Sequence, residues 1–302
     1  MYREFPLPPA VRLSLGPSAD PSAGPSAGPS AGQVPIRDAS TVMLVRDAPN
    51  GQDARNGQGV EVFAFRRVRG MAFAAGMLVF PGGSLDPQDG SDQLPWLNRP
   101  DASGVVAAAV RETFEECGVL LAVPDPAAGP GGDGSPGAAG SAAPADLAEL
   151  ASLREALLDG RVTLADVLRR SGRALDAGLL RPWARWVTPP GETRRFDTRF
   201  YLARVPAGQE PLDLGGEGEA AGWLNARAAL TRHAAGELPM LPPTQVTIEE
   251  LAAAGSVDAL FATPRHVRVV RPEVVDVEQD GSTQRVLRIP LGDDGAATGS
   301  TR

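Results

Sequence analysis

Arg111-Glu112-Thr113-Phe114-Glu115-Glu116-Cys117-Gly118-Val119 closes an apolar run that begins at Val105. Its spacing predicts a helix. Glu112, Glu115 and Glu116 stand at i, i+3 and i+4, so a helical backbone places the three carboxylates on one face. Val106, Val110, Thr113, Phe114 and Cys117 fall on the opposite face, the pattern of an amphipathic helix laid on a core. Gly118 is the expected C-terminal stop, because a left-handed backbone costs glycine little. Asp101 and Ser103 are the candidate N-caps.

Glu112 and Glu116 are like charges one turn apart, which slightly destabilises a helix. Arg111 is the nearby counter-charge, placed to reach Glu115 at i+4. A face that repels itself needs a further partner, and hard divalent cations take carboxylate oxygens together with water and substrate phosphates. For a glutamate-rich helix taken alone, a solvated acidic face is the commoner reading. The context that reverses it is Phe80-Pro81-Gly82-Gly83 upstream, where Gly82 and Gly83 let the backbone approach a phosphate or a metal closely.

Together the two pieces resemble the Nudix hydrolase signature: a glycine, five residues, a glutamate, seven residues, then R-E-U-x-E-E-x-G-U with U aliphatic. Arg111, Glu112, Glu115, Glu116, Gly118 and Val119 match it, and Gly83 matches the leading glycine. The sequence departs from it at two places. Thr113 stands at an aliphatic position. Asp89 stands where the first glutamate is expected, and residues 90–100 lengthen the gap to Arg111. An insertion there is similar to that of the subgroup that includes the peroxisomal coenzyme A diphosphatases. The resemblance extends, less specifically, through Arg185-Trp186-Val187-Thr188-Pro189, Arg195-Phe196-Asp197-Thr198-Arg199-Phe200 and Leu241-Pro242-Pro243-Thr244, and so covers residues 40–260.

The resemblance implies an α/β/α sandwich with a mixed sheet. It implies Mg²⁺ or Mn²⁺ held by Glu112, Glu115 and Glu116, with Arg111 orienting Glu115. The implied reaction is hydrolysis of a nucleoside diphosphate linked to another group, most naturally coenzyme A or an acyl-coenzyme A, with ADP-ribose or a dinucleotide as the alternative. A Nudix-like ligand-sensing module without turnover is the competing class, and three retained glutamates argue against it. Many Nudix enzymes draw a further metal ligand or the general base from a later loop. Glu219, beside Glu217 in a glycine-rich stretch, is the candidate here. The coenzyme A diphosphatases also carry an arginine-containing element just before F-P-G-G. Gly76 matches it, but Ala72 stands at the place of its second arginine.

Composition agrees with a soluble globular chain. Hydrophobic residues make up 42% of 302, ordinary for such a protein, whereas 35 Gly and 29 Pro point to unstructured stretches. A formal net charge of −8 argues against a broad nucleic-acid-binding surface. Apart from 2 His, every basic residue is Arg. One Cys excludes an intrachain disulfide and suits a reducing cytoplasm, the expected location. No apolar run reaches the length of about 18 residues needed to span a membrane, and no signal peptide is evident.

Residues 1–34 are mostly Pro, Ser, Ala and Gly, with a P-S-A unit repeated through 16–32, and are expected to be a disordered tail. Residues 35–290 are expected to form the domain, and 291–302 to fray. Strands are expected at 40–46, 60–66 and 77–80, with a long hairpin loop over 47–59. Arg66, Arg67 and Arg69 precede the third strand and are candidate phosphate contacts, Arg67 foremost. Residues 124–178 read as a linker followed by a helical insertion. Leu147, Leu150, Leu153 and Leu157, then Leu164, Val167 and Leu168, have helical spacing. The insertion is a candidate cap of the substrate cleft or homodimer contact, and packing onto the parent domain is favoured over a separate partner-binding stripe. Strands follow at 185–188 and 196–205, the latter with Phe196, Thr198, Phe200 and Leu202 alternating with Asp197, Arg199 and Tyr201. Arg194, Arg195 and Arg199 are candidates to grip phosphate, Arg195 foremost. Helices are expected at 225–232 and 243–254, the second with Thr247 and Glu250 at capping-box spacing should it start there. A hairpin of 266–277 with 284–290 closes the chain. His233 and His266 are isolated and predict no zinc site.

Overall fold

The computed structural model describes residues 2–6, 34–49, 59–67, 76–128, 147–212, 218–279 and 282–290. They divide into two units, a larger one of Asp38–Trp183 with Thr198–Val267 and a smaller one of Met1–Arg37, Ala184–Asp197 and Arg268–Arg302.

In chain order the elements are β1 (Tyr2–Pro6), β2 (Ile36–Asp47), β3 (Val60–Arg67), β4 (Leu78–Val79), β5 (Gly82–Ser84), a 3₁₀ turn (Pro87–Gly90), β6 (Trp96–Asn98) and α1 (Ser103–Cys117). Then come β7 (Val123–Pro124), α2 (Leu147–Leu158), α3 (Leu164–Arg170), β8 (Arg173–Asp176), β9 (Arg181–Val187), β10 (Arg195–Arg204) and β11 (Gly218–Asn225). The chain continues with α4 (Ala226–Ala234), α5 (Pro242–Ala254), α6 (Val257–Ala262), β12 (Val269–Val270), β13 (Glu273–Gln279) and β14 (Ser282–Pro290).

In the larger unit the strands lie in the order β11-β3-β2-β10, with β4 paired to β3 and β5 to β2. Val42 and Leu44 of β2 and Phe63 of β3 share one core with Val106, Val110, Phe114 and Cys117 of α1. Successive strand residues face opposite sides, and Met43 and Val45 are as buried as their neighbours. Both faces of β2 are therefore covered. On β10 the expected alternation gives way to continuous burial over 200–203, for the same reason. Helices α4 and α5 pack on β3. The expected mixed α/β architecture is present.

The helical insertion is built into this core. Leu150, Leu153 and Leu157 of α2 and Leu164, Val167 and Leu168 of α3 join the same cluster as α1. Thr163 caps α3 in a reciprocal box with Asp166. The stretch 90–100 belongs to the same structure: its β6 runs parallel to β8, with Trp96 opposite Leu175. On the other side of β8, β7 pairs antiparallel. Two insertions far apart in sequence thus make one three-stranded sheet. Most of the expected linker, 129–146, lies outside the described residues.

Four expectations are corrected. Within 1–34, Tyr2–Pro6 is a strand, paired with β14 over five positions and burying Phe5. Apolar Phe5 gives this end of the chain something to bury, unlike the repeat that follows. Helix α1 begins at Ala102 without a side-chain cap, so neither Asp101 nor Ser103 caps it. Helix α5 begins after Leu241 with Pro at its first turn, which leaves Thr247 and Glu250 in mid-helix. Glu250 instead accepts from the Trp183 indole at 2.7 Å. Glu219 lies on β11 and not in a loop.

In the smaller unit β1, β14 and β13 form a sheet in that order. β13 and β14 are the expected C-terminal hairpin, joined from Gln279 to Ser282. Residues 7–33, 50–58 and 291–302 lie outside the described residues.

Candidate metal and diphosphate site

Helix α1 ends as its sequence directs. Gly118 takes a left-handed φ of 75°, and its N–H bonds to the Phe114 carbonyl. Thr113 is fully buried, and its hydroxyl donates to the Ala109 carbonyl at 2.7 Å. The helix backbone thereby satisfies the polar atom that stands at an aliphatic position.

Arg111 organises the charges. Its Nε donates to Asp89 Oδ1 at 2.9 Å and its Nη2 to Asp89 Oδ2 at 3.0 Å, a bidentate pair. Nη2 also donates to the Ser84 carbonyl at 3.0 Å. Nη1 meets Glu115 Oε2 at 3.1 Å and Glu112 Oε1 at 3.0 Å. Four guanidinium N–H groups are thus hydrogen-bonded, and Glu112 completes the ion pairing. Asp89 is 2% exposed, and its carboxylate also accepts from the Asp86 N–H at 2.8 Å within the 3₁₀ turn.

The glycine turn meets the same carboxylates. The Gly82 N–H donates to Glu116 Oε2 at 2.8 Å. A Cβ on Gly83 would lie 2.3 Å from Glu112 Oε1, so only glycine admits that carboxylate where it stands. Strand β5 is anchored to β2 by Ser40 opposite Gly83 and Thr41 opposite Gly82. The Thr41 hydroxyl reinforces it with a bond to the Pro81 carbonyl at 2.9 Å.

One guanidinium faces three carboxylates, Asp89, Glu112 and Glu115. Burial pushes Glu112 up to about 7, against the pull of Arg111. Glu115 is also raised by burial, again opposed by Arg111. The surrounding carboxylates hold the Arg111 proton more tightly than usual although burial opposes them. Such a donor set suits a hard divalent cation, which would supply the missing positive charge to oxygen ligands. Among the described residues no three of these groups are already gathered about one point. Glu112 and Glu115 are turned to Arg111 and Glu116 to Gly82, so taking up a cation requires them to turn.

The structure brings Arg111, Glu112, Glu115, Glu116, Gly82 and Gly83 together. It does not gather every other candidate with them. Arg67 lies on β3, its backbone bonded to Gly76 and Met77. Arg66 donates from Nε to the Gly76 carbonyl at 2.9 Å. Arg69 and Ala72 lie outside the described residues. Arg195 is in the smaller unit and donates to the Thr188 carbonyl at 3.2 Å. Arg199 pairs with Asp38. The Glu219 backbone sits between Gly218, opposite Arg67, and Ala220, opposite Arg66, where the register of β11 shifts. Cys117 is fully buried and its thiol is pushed up to about 12, so it is inert packing.

Two residues outside the candidate set contribute. Asp89, standing at the signature's first-glutamate position, clamps Arg111. Arg154 of α2 bonds the Glu115 carbonyl, and nothing in its leucine-rich surroundings marks it out.

The chain is similar to known proteins. A family profile described as the NUDT19 Nudix domain matches residues 99–251. The acyl-coenzyme A diphosphatase NUDT19 of Gallus gallus is 33% identical over 173 residues, 54% of this chain. The chain spans only 44% of that relative's length. The crystal structure of a NUDIX hydrolase from Alicyclobacillus acidocaldarius superposes with a TM-score of 0.56 at 36% identity, covering 76% of this chain and 97% of that one.

Proposed function

This chain belongs to the Nudix hydrolase family, and from that premise we propose that it is a metal-dependent diphosphatase. Its substrate is a nucleoside diphosphate linked to another group, with coenzyme A or an acyl-coenzyme A preferred. The observation that carries this reading is the carboxylate face of α1, half-buried against the Gly82-Gly83 turn with one guanidinium to balance it. The named activity of the chicken relative favours coenzyme A over ADP-ribose or a dinucleotide.

Glu112, Glu115 and Glu116 would hold Mg²⁺ or Mn²⁺. When bound, the ion neutralises the diphosphate and lowers the pKa of a bound water. Arg111, itself held by Asp89 and Ser84, fixes the direction of Glu112 and Glu115. Gly82 and Gly83 let the backbone close directly on the carboxylates, with the Gly82 N–H donating to Glu116. A carboxylate would take the proton of the attacking water, and Glu219 of β11 is the candidate.

The test is turnover of coenzyme A, acyl-coenzyme A, ADP-ribose and dinucleotides with Mg²⁺, with Mn²⁺ and with chelator. Adenosine 3′,5′-bisphosphate should appear from coenzyme A only when metal is present. Glu115→Gln and Glu116→Gln should each lose most of this activity while keeping the parent's melting temperature. Full turnover by both variants at limiting metal would refute the site.

A further inference from the structure

A side chain of the helical insertion reaches the last turn of α1. Arg154 of α2 donates from Nε and Nη2 to the Glu115 carbonyl oxygen at 2.8 and 2.5 Å. That carbonyl lies in the last turn of α1, where backbone acceptors lack partners within the helix. A cation there also opposes the negative end of the helix dipole. Arg154 is itself held in place, because Leu150, Leu153 and Leu157 of the same helix are buried in the core shared with α1. Two other carbonyls of this turn are bonded by backbone: Phe114 by Gly118 N–H and Cys117 by Leu212 N–H. Arg154 is the side-chain clamp on the one residue of this turn that pairs with Arg111.

We propose that Arg154 is a positioning residue for the metal site: its guanidinium fixes the final turn of α1 and thereby the aim of the Glu115 and Glu116 carboxylates. The insertion then helps set metal affinity and is not an inert addition. This inference rests on the reading of α1 as the metal-binding face. Partners that orient the ligands of a metal typically change its affinity 10–100-fold when removed.

The test is direct Mn²⁺ binding, measured from the free-ion electron paramagnetic resonance signal without substrate. Arg154→Ala should weaken binding about tenfold, and Arg154→Lys should recover part of the loss. Leu153→Ala, one residue away on the same helix, should lower the melting temperature at least as much yet bind Mn²⁺ as the parent does. Parent-like affinity in Arg154→Ala would overturn the proposal. So would an equal loss in Leu153→Ala, since general loosening of the insertion would then explain both. Glu116→Gln is the control for the underlying reading. Mn²⁺ binding by the parent that this change leaves intact would remove the metal site itself, an outcome distinct from the other two.

Discussion

Arg111 donates four hydrogen bonds within the site, and three carboxylates share its single charge. Glu112 carries the consequence. Burial, its largest influence, raises it from 4.5 to about 7. A carboxyl that holds its proton more tightly when folded stabilises the fold in its protonated form. That contribution is fully present below pH 4.5 and is lost as pH rises through about 7. In chelator, Glu112→Gln should therefore be more stable than the parent at pH 8 by on the order of 2 kcal/mol. The difference should shrink toward zero at pH 5. Calorimetry at the two pH values measures it, and a parent as stable as the variant at pH 8 would refute it. Saturating Mn²⁺ should reverse the order, because the ion binds the ionised carboxylate that the variant lacks. Residue types and spacing made Arg111, Glu112, Glu115 and Glu116 legible in the sequence. Their burial was not, because it depends on a turn some 30 residues upstream in the chain. Asp89 was visible only as a shortened glutamate, since its pairing with Arg111 bridges an insertion.

Helix α1 was readable as an element because it has a strict apolar period, whereas Pro81-Gly82-Gly83 stood out by composition and its pairing with β2 as strand β5 did not. Their mutual approach is a matter of volume. A methyl at Gly83 would collide with the Glu112 carboxylate, which is the far end of a flexible side chain and can move aside. Gly83→Ala should thus fold with little loss, within about 0.5 kcal/mol. Its Mn²⁺ affinity should fall roughly tenfold or more, as for other changes that misdirect a ligand. Equal affinity in parent and variant would show that Glu112 has another productive position. Where elements were misread, local pattern gave way to surroundings. The period-two pattern of β10 failed because both faces are covered, and Glu219 was assigned to a loop because glycine-rich sequence hides a strand that β3 recruits. The cap expected of α1 failed because Ala102 stands at its N-terminus without offering a side-chain acceptor.

The whole chain spreads its construction over distant segments, which is the part a linear reading sees least. Strand β6 has three residues and no pattern of its own, and it exists because β8 pairs with it. Strand β1 is the same case in the smaller unit. It precedes a low-complexity repeat, yet Tyr2–Pro6 pairs with β14, Glu4 bonds Arg288, and Phe5 is 5% exposed. Val286, Leu287 and Ile289 of β14 are buried in the same unit. Burial of this kind makes Phe5 a core residue, and replacing Phe by Ala in a core costs about 3–5 kcal/mol. Phe5→Ala should therefore speed hydrogen exchange across residues 282–290, whose amides are protected by pairing with β1 and β13. Mn²⁺ affinity should stay at the parent's value, because Glu112, Glu115, Glu116 and Arg111 all belong to the larger unit. Unchanged exchange in 282–290 would show that β14 holds its structure without β1. Faster exchange there with parent-like Mn²⁺ binding would place the first residues of the chain in the fold and outside the chemistry.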